Sequence, residues 1–551
     1  MNEERDDEVV DEQAAPDVAP EPSQPSETTL RWLRTSLAGL ALLTSLAFAV
    51  STEQAWEDFF INYRHSENLV EGKGLTFNEG TRVHGFTSPL ATLAAAGARA
   101  LTGPAEPGTV LWVYRVPSLL AHAAALALLL LALHRAGMRS ILGTVLVGGL
   151  YIIDTKSLAF SVNGMETGFL LFFLAGALAV LCSGVVGRER WLGACWAGLM
   201  WTRPDGCVLI AAMGLAVLLF SERPRRELFT ALVKAALTCT VLYLPWFVGA
   251  WWYYGSPVPH PVVAKAARSQ GLLATLSQLD ELLPQLAFLH LPPYAWSYPL
   301  RWVQIWEAGV LGAVGCLGFL WRGAPLGVRR VSFCALIGVL YLTFIPLRYP
   351  WYYPATFLCT LAVPGWLVGA IDWYLWRDRL LRTMLVVGVV VVLLGLLPAA
   401  LDYHSTAKQA QRINDGGVRT EVGRWLAENT DPTHRVFGEP AGYVGYYSER
   451  RLVDYPGLVS PEVVAVRQEK DDPSFVVEQL RPEWLVLRPH ELASIHQKLG
   501  TWLETEYVRV VRFDASGAWP QELRDRFPSV RYDARFEILG RRDVAAGVGE
   551  R

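Results

Sequence analysis

Charge is scarce in this chain of 551 residues. Only 18% of the residues are Asp, Glu, Lys or Arg, where a soluble globular protein carries about 25%. There is no P-loop and no GxGxxG opening a helix after a strand, so nucleotide hydrolysis and a Rossmann cofactor lack support. No CxxC and no Cys/His spacing points to zinc. No cysteine follows Cys359, so the C-terminal part holds no disulfide. The seven cysteines (182, 195, 207, 239, 316, 334 and 359) lie in or beside apolar segments and read as small buried side chains. No repeat of fixed period occurs, and no basic surface suggests nucleic acid as a partner.

What the chain has instead is apolar length. It is 52% hydrophobic, with a mean hydropathy of +0.25, and the apolar residues form runs of membrane-spanning length. Residues 1–29 hold ten acidic residues, one Arg and four Pro. Such a segment cannot bury enough apolar surface to offset its ordering entropy, so a disordered cytoplasmic tail is expected. It is not expected to be a signal peptide, because the basic pair Arg31 and Arg34 comes only after it.

Basic clusters at 134–139, 188–190, 223–226, 322–330 and 377–382 order the spans by the positive-inside tendency. Eleven fit, at about 31–52, 109–133, 140–154, 165–184, 190–202, 205–221, 228–250, 303–321, 330–346, 354–375 and 382–402. The run 89–104 would invert that order if it crossed. It is therefore expected to lie on the outer surface as an interfacial or re-entrant helix, and Arg99 within it agrees. An odd count places 403–551 outside. The runs VFGEPAGYVGYYS, RLVDYPGL, EWLVLR and YVRVVRF look like strands and GVRTEVGRWLAEN like a helix. The expected fold is a mostly α, polytopic membrane protein. It has a tail (1–29), a transmembrane domain (30–402, with outer loops 53–108, 251–302, 155–164 and 347–353) and an extracytoplasmic α/β or α+β domain (403–551).

The chain is organised around WEDFFINYRHSENLVEGKGLTFNEGTRVHGFTSP, residues 56–89. Its Glu57 and Asp58 suit a solvated helix start, where carboxylates complement the dipole. Beside the apolar Phe59, Phe60, Ile61 and Tyr63, a partly desolvated carboxylate also suits a general base. Arg64 is placed to bind a phosphate or pair with an acid. Glu166, in NGMETGF, and Asp205, in TRPDGC, sit at outer span ends. There an ionisable residue marks a functional site, or a helix cap. Capping is favoured for Asp205, and Arg203 pairs with it or reaches a phosphate. His260 and Lys265 in WWYYGSPVPHPVVAKA hold an anionic headgroup, or belong to an interfacial aromatic belt. Arg348 in LRYPWYYPA binds a lipid phosphate or snorkels. In GEPAGYVGYYSERRLVDYPGL, Tyr443, Tyr446 and Tyr447 either stack on sugar rings or belong to a hairpin turning at Ser448 and Glu449.

These pieces, in the order acidic pair plus FINYRHSENLVEGKGLTFNEG, HGFTSPL, NGMETGF, TRPDG, YYGSPVPHPVVAKA, RYPWYYP and GEPAGYVGYYSERRLVDYPGL, resemble bacterial membrane glycosyltransferases of the GT-C superfamily. Within it, the chain is most similar to the group of terminal arabinofuranosyltransferases of the mycobacterial cell wall, over about residues 50–460. The resemblance implies a multi-pass protein of the bacterial inner membrane. It would transfer a sugar from a polyprenyl-phosphate donor to an envelope glycan, lipid or protein acceptor outside the cytoplasm, usually with inversion. It puts the base, or the ligand of a divalent cation (Mg or Mn), on Asp58, with Glu57 beside it where the family more often has a second Asp. Donor phosphate binding falls to Arg64, His260, Lys265 and Arg348, and substrate binding to Glu166, Tyr446 and Tyr447. Asn is common near His260 in relatives, and Asp near Glu439. Two rivals remain at this point: a lipid-linked-sugar transporter or flippase, and a non-catalytic envelope-assembly protein.

Overall fold

The computed structural model describes residues 24–266, 277–294, 302–345 and 347–546. Most of the expected tail and parts of the loop 251–302 lie outside the described residues. The helices in order are α1 (Glu27–Thr52), α2 (Glu57–Val70), α3 (Pro89–Thr102), α4 (Pro107–Arg135), α5 (Ile141–Ile153), α6 (Thr155–Val162), α7 (Thr167–Ser183), α8 (Glu189–Thr202) and α9 (Gly206–Leu219). Then follow α10 (Arg225–Tyr254), α11 (His260–Ala266), α12 (Leu282–Phe288), α13 (Trp302–Leu317), α14 (Leu326–Phe344), α15 (Tyr353–Thr360), α16 (Ala362–Tyr374) and α17 (Arg379–Ala410). Helix α1 begins at Glu27, inside the expected tail, because Ser26 caps it by accepting the Thr29 N–H.

Each expected span coincides with a helix or a helix pair. Among the described residues, seven helical segments are long and apolar enough to cross a membrane, and eight if α5 and α6, bent by 52°, count as one. Helices α7, α8 and α9 have 17, 14 and 14 residues, short of the ~20 that a hydrocarbon core needs. Length and composition therefore carry eight of the eleven. Helix α3 has 14 residues, about 21 Å at the α-helical rise, and is too short to cross. Its Arg99 is tied to Glu67 of α2 and to Glu71 just past it, at 3.3 and 3.0 Å.

The basic clusters gather at one end of the bundle. Arg330 donates to the carbonyls of Leu181 and Phe220, and Ser140 and Arg382 both donate to Asp372. The other end collects α2, the Asn163–Glu166 turn, Arg203, α11 and the 347–352 turn, and it carries the C-terminal domain. The segment 155–164 is not the exposed turn expected there. Asp154 accepts the Ser157 N–H and restarts the chain as α6, every residue of which is buried. Lys156 pairs with Asp154 at 2.9 Å and donates to the Leu291 carbonyl, so neither charge is left uncompensated. Buried Arg115 of α4 donates to the carbonyls of Val162 and Gln54, both at 2.7 Å, satisfying carbonyls freed at helix ends.

The expected boundary at 402 is no linker. Helix α17 runs through it, and Tyr403 and Ala407 pack against Phe48, Leu119 and Leu158. A loosely wound turn, Gln411–Arg419, breaks at Gly417 and leads into α18 (Thr420–Asn429). Beyond it lies a five-stranded sheet of β1 (Arg435–Gly438), β2 (Arg451–Asp454), β3 (Trp484–Leu487), β4 (Tyr507–Asp514) and β5 (Arg535–Arg541). The order is β2-β1-β3-β5-β4. β1 runs parallel to β2 and β3, while β5 is antiparallel to β3 and β4. Both faces are covered. Val436, Leu452, Val486 and Ile538 meet α18 residues Val422 and Leu426, and Phe437, Leu485 and Leu487 meet Val463, Val477 and Ile495. Burial on both faces explains the unbroken apolar run WLVL in β3. No hairpin forms at Ser448 and Glu449. Instead α19 (Tyr443–Tyr447) crosses over between the parallel β1 and β2, its aromatic side chains buried against α2.

The two domains are bonded rather than merely touching. Asn78 covers the β2 edge, donating to the Leu452 carbonyl and accepting its N–H, both at 3.1 Å. Arg467 donates to the Ala264 carbonyl, and Arg526 pairs with Asp402. The closest approach is at Gly442, where an added Cβ would lie 2.1 Å from the Glu57 carbonyl oxygen. Gly442→Ala is expected to push α19 off α2. It should destabilise the protein by about 1–3 kcal/mol, read as a lower melting temperature and faster proteolysis near residues 411–419. An unchanged melting curve would contradict this docking.

Candidate active site

The site is built from the first turns of α2. The Trp56 N–H donates to the Asn163 carbonyl at 2.8 Å, and Phe59 presses on Gly164, whose φ of +95° leaves no room for a Cβ. With the helix start pinned, the 100° step between residues sends the acidic pair different ways. Glu57, Phe60 and Arg64 face the C-terminal domain, and Phe59 and Tyr63 pack with α3 and α4. Asp58, Ile61 and Asn62, spaced i, i+3 and i+4, line a cavity of about 550 Å³.

Opposite Asp58 the cavity is walled by charge held in a frame. Arg203 makes a bidentate pair with Asp205, with Nε and Nη2 each 2.9 Å from a carboxylate oxygen, and its Nη1 is 2.9 Å from Glu166. Tyr341 donates to Asp205 at 3.2 Å, and the Tyr352 ring lies 4.4 Å from the guanidinium. The Lys265 ammonium sits 5.0 Å from the Tyr349 ring centroid and 3.5 Å from the Tyr352 hydroxyl. Val208, Val262, Ile345 and Leu347 give the remaining wall an apolar lining.

Among the described residues, no hydrogen bond or ion pair reaches the Asp58 carboxylate. Burial pushes its pKa up to about 6, opposed by Lys265 and reinforced by Glu166 and Glu57. Glu57 has the opposite circumstances. Its carboxylate accepts the N–H groups of Gly442 and Tyr443, at 2.7 and 3.2 Å, and pairs with Arg419 at 3.0 Å. Burial raises its pKa, and Arg419 opposes the rise. Glu57 is a domain latch and does not line the cavity.

Of the other residues assigned from sequence, Glu166 and Lys265 line the cavity and five do not. The Arg64 guanidinium is occupied by the carbonyls of Phe77, Gly445 and Tyr446. Arg348 points away, paired with Glu281 at 2.9 Å. His260 gives its backbone N–H to the His84 carbonyl, and burial holds its imidazole below the ordinary pKa, which does not suit an anion ligand. Tyr446 bonds Glu67 and packs on Phe60 and Tyr63, and Tyr447 lies between Phe60 and Arg424. Both tyrosines are half-buried in the domain interface and lie outside the cavity. Asp205 caps nothing with its side chain; it holds Arg203. Tyr341 and Tyr352 escaped the sequence reading, one within an apolar helix and the other among belt aromatics. Among the described residues, no three His, Cys, Asp or Glu side chains are placed to hold a metal ion. With Glu166 and Asp205 taken by Arg203, the donor set does not fit one.

The C-terminal residues 405–538 match a family model described as "Domain of unknown function (DUF8728)". A curated relative, the terminal beta-(1->2)-arabinofuranosyltransferase of Corynebacterium glutamicum, is 28% identical over 257 residues. That match covers 41% of this chain and only 36% of the relative, about a third of its length. Among solved structures, the chain is similar to the oligosaccharyltransferase AglB from Archaeoglobus fulgidus in complex with an inhibitory peptide and a dolichol-phosphate. The TM-score is 0.55 at 14% identity, over 89% of this chain and 74% of that one. It is also similar to ArnT from Cupriavidus metallidurans bound to undecaprenyl phosphate (TM-score 0.52, 11% identity, 92% and 97% covered). A third likeness is to the arabinofuranosyltransferase AftD from Mycobacteria (0.51, 16%, 97% and 41%). At these identities the likeness is one of fold, and it runs through the membrane and sheet domains together.

A carboxylate pushed up to about 6 is bound to its proton more tightly in the folded than in the unfolded chain. Its ionisation therefore opposes folding above that pH, and the penalty fades as pH falls through 6. Asp58→Asn should raise the melting temperature at pH values above about 6, with the difference shrinking on acidification. Equal melting curves on both sides of the transition would refute the desolvation of Asp58.

Proposed function

We propose that this chain, a membrane protein with the GT-C fold, transfers a sugar from a polyprenyl-phosphate donor to an envelope acceptor, with Asp58 as the general base. The observation that carries the reading is one open carboxylate, raised to about 6, facing a clamped guanidinium and an ammonium across an amphipathic cavity. An acceptor hydroxyl gives its proton to Asp58 as its oxygen attacks the anomeric carbon. The bond from that carbon to the phosphate oxygen breaks, and the polyprenyl phosphate leaves with the electron pair. Attack opposite the leaving group inverts the anomeric centre. Lys265 and the two N–H groups that Arg203 keeps free steady the departing phosphate. Glu166 and Asp205 hold Arg203 in place beforehand, so little reorganisation accompanies the reaction. The apolar wall from Val208 to Ile345 takes the first isoprene units.

The test is transfer from a radiolabelled polyprenyl-phosphate sugar by the purified protein in liposomes. Asp58→Asn should lower kcat/KM by about 10²–10⁴-fold, while binding of the donor persists. For the wild type, kcat/KM should rise with pH through a single midpoint near 6 and then level off, because the base works only when deprotonated. Intact transfer by Asp58→Asn would overturn the assignment. Donor that crosses the bilayer unconsumed would favour a flippase.

A further inference from the structure

A second groove, of about 530 Å³, opens at the end of the bundle opposite the C-terminal domain. It runs between α5, α16 and α17. Ile141, Val145 and Val386 form its walls, and Arg379, Arg382 and Asp372 its mouth. Polarity changes along its length: Arg379 and Arg382 lie in the first turn of α17, while Val386 lies a turn or two further along that helix, and Val145 a turn beyond Ile141. Ile141 and Val386 are exposed apolar residues on helices that belong to the bilayer.

The charges at the mouth are unevenly used. The Asp372 carboxylate accepts from Ser140 at 3.1 Å and from Arg382 at 2.8 Å, which fixes the Arg382 guanidinium at the rim. Among the described residues, the Arg379 guanidinium makes no hydrogen bond or ion pair; only its backbone carbonyl is engaged, accepting from the Thr383 hydroxyl at 2.8 Å. The mouth thus sets two cations, Arg379 and Arg382, against one carboxylate, Asp372, an excess of positive charge. A cationic mouth over an apolar trough between membrane helices complements one kind of molecule that a bilayer supplies in quantity.

We propose that this groove binds an anionic phospholipid, its phosphate held by Arg379 and Arg382 and an acyl chain laid along Ile141, Val145 and Val386. Nothing in the sugar-transfer reading assigns it a role. The lipid would bridge α5 and α17, which both lead to the active site. Helix α5 bends into α6 and the Asn163–Glu166 turn, and α17 continues to Arg419, the partner of Glu57. An occupant joining these helices stabilises the folded chain by mass action.

The experiment uses the full chain, delipidated in detergent, with phosphatidylglycerol, phosphatidylcholine or inorganic phosphate added, read by native mass spectrometry and thermal melting. Phosphatidylglycerol should stay bound and raise the melting temperature, with phosphatidylcholine and phosphate doing neither. Arg379→Gln should weaken phosphatidylglycerol binding about fivefold, and a further Arg382→Gln, combined with Asp372→Asn to keep the rim neutral, should weaken it by about as much again. Because the Arg379 guanidinium has no partner among the described residues, its variant should melt like the wild type without lipid. The proposal falls if phosphatidylcholine binds as well as phosphatidylglycerol, or if phosphate alone gives the full shift. It falls equally if Arg379→Gln retains the wild-type affinity.

Discussion

The structure depends on how Glu57 is satisfied. A carboxylate at the start of α2, next to buried aromatics, would be costly without partners, and the C-terminal domain supplies them through Gly442 N–H, Tyr443 N–H and Arg419. That single latch sets the rotation of α2 about its axis. Once Glu57 is turned towards the sheet domain, Asp58 must face the cavity. The sheet domain thus contributes to the site at a distance: it uses up one acid so that its neighbour stays open.

The membrane domain obeys the same rule on a larger scale. Charges buried there are accommodated where helices break and free their carbonyls or carboxylates. Arg115 takes the Val162 carbonyl at the end of α6 and the Gln54 carbonyl just past α1, and Lys156 takes the Asp154 that caps α6. Arg203 takes Asp205 and Glu166 across the gap between α8 and α7. Because unsatisfied backbone groups have no water to turn to in the bilayer, each break has to be paired with a donor. The breaks nearest α2 therefore become the places where polar chemistry is possible, and the cavity lies among them.

A desolvated Asp58 is unfavourable for folding, though it is what the proposed base requires, and the cavity tempers the cost through its cations. Lys265 lowers the cost of ionising Asp58 without bonding to it, and Arg203 is held by its own acids, Asp205 and Glu166, rather than by Asp58. A carboxylate paired directly with either cation would be a poorer base. The separation of Asp58 from both leaves its pKa raised to about 6, as the proposed base requires.

Much of this was legible in the chain. Hydrophobic runs located a helix or helix pair at every expected span, and eight of them, counting α5 and α6 as one, are long and apolar enough to cross a membrane. Basic clusters predicted which helix ends gather together, and alternation or continuity of apolar residues marked four of the five strands. The motif order pointed to α2, to Glu166 and to Lys265. What the sequence alone did not determine was which face of a short helix each polar residue takes. Glu57 and Asp58 are equivalent in a string, as are Arg64 and Arg203. Their roles separated only when a domain hundreds of residues away occupied Glu57 and Arg64, and when two helix ends met at Arg203. The same holds for α19, whose Tyr-rich segment reads as strand locally and becomes a helix because the aromatic face of α2 is there to bury it. β5 was missed because its burial comes from pairing with β3 and β4. Local composition marked out the membrane helices; long-range contacts decided which carboxylate is open.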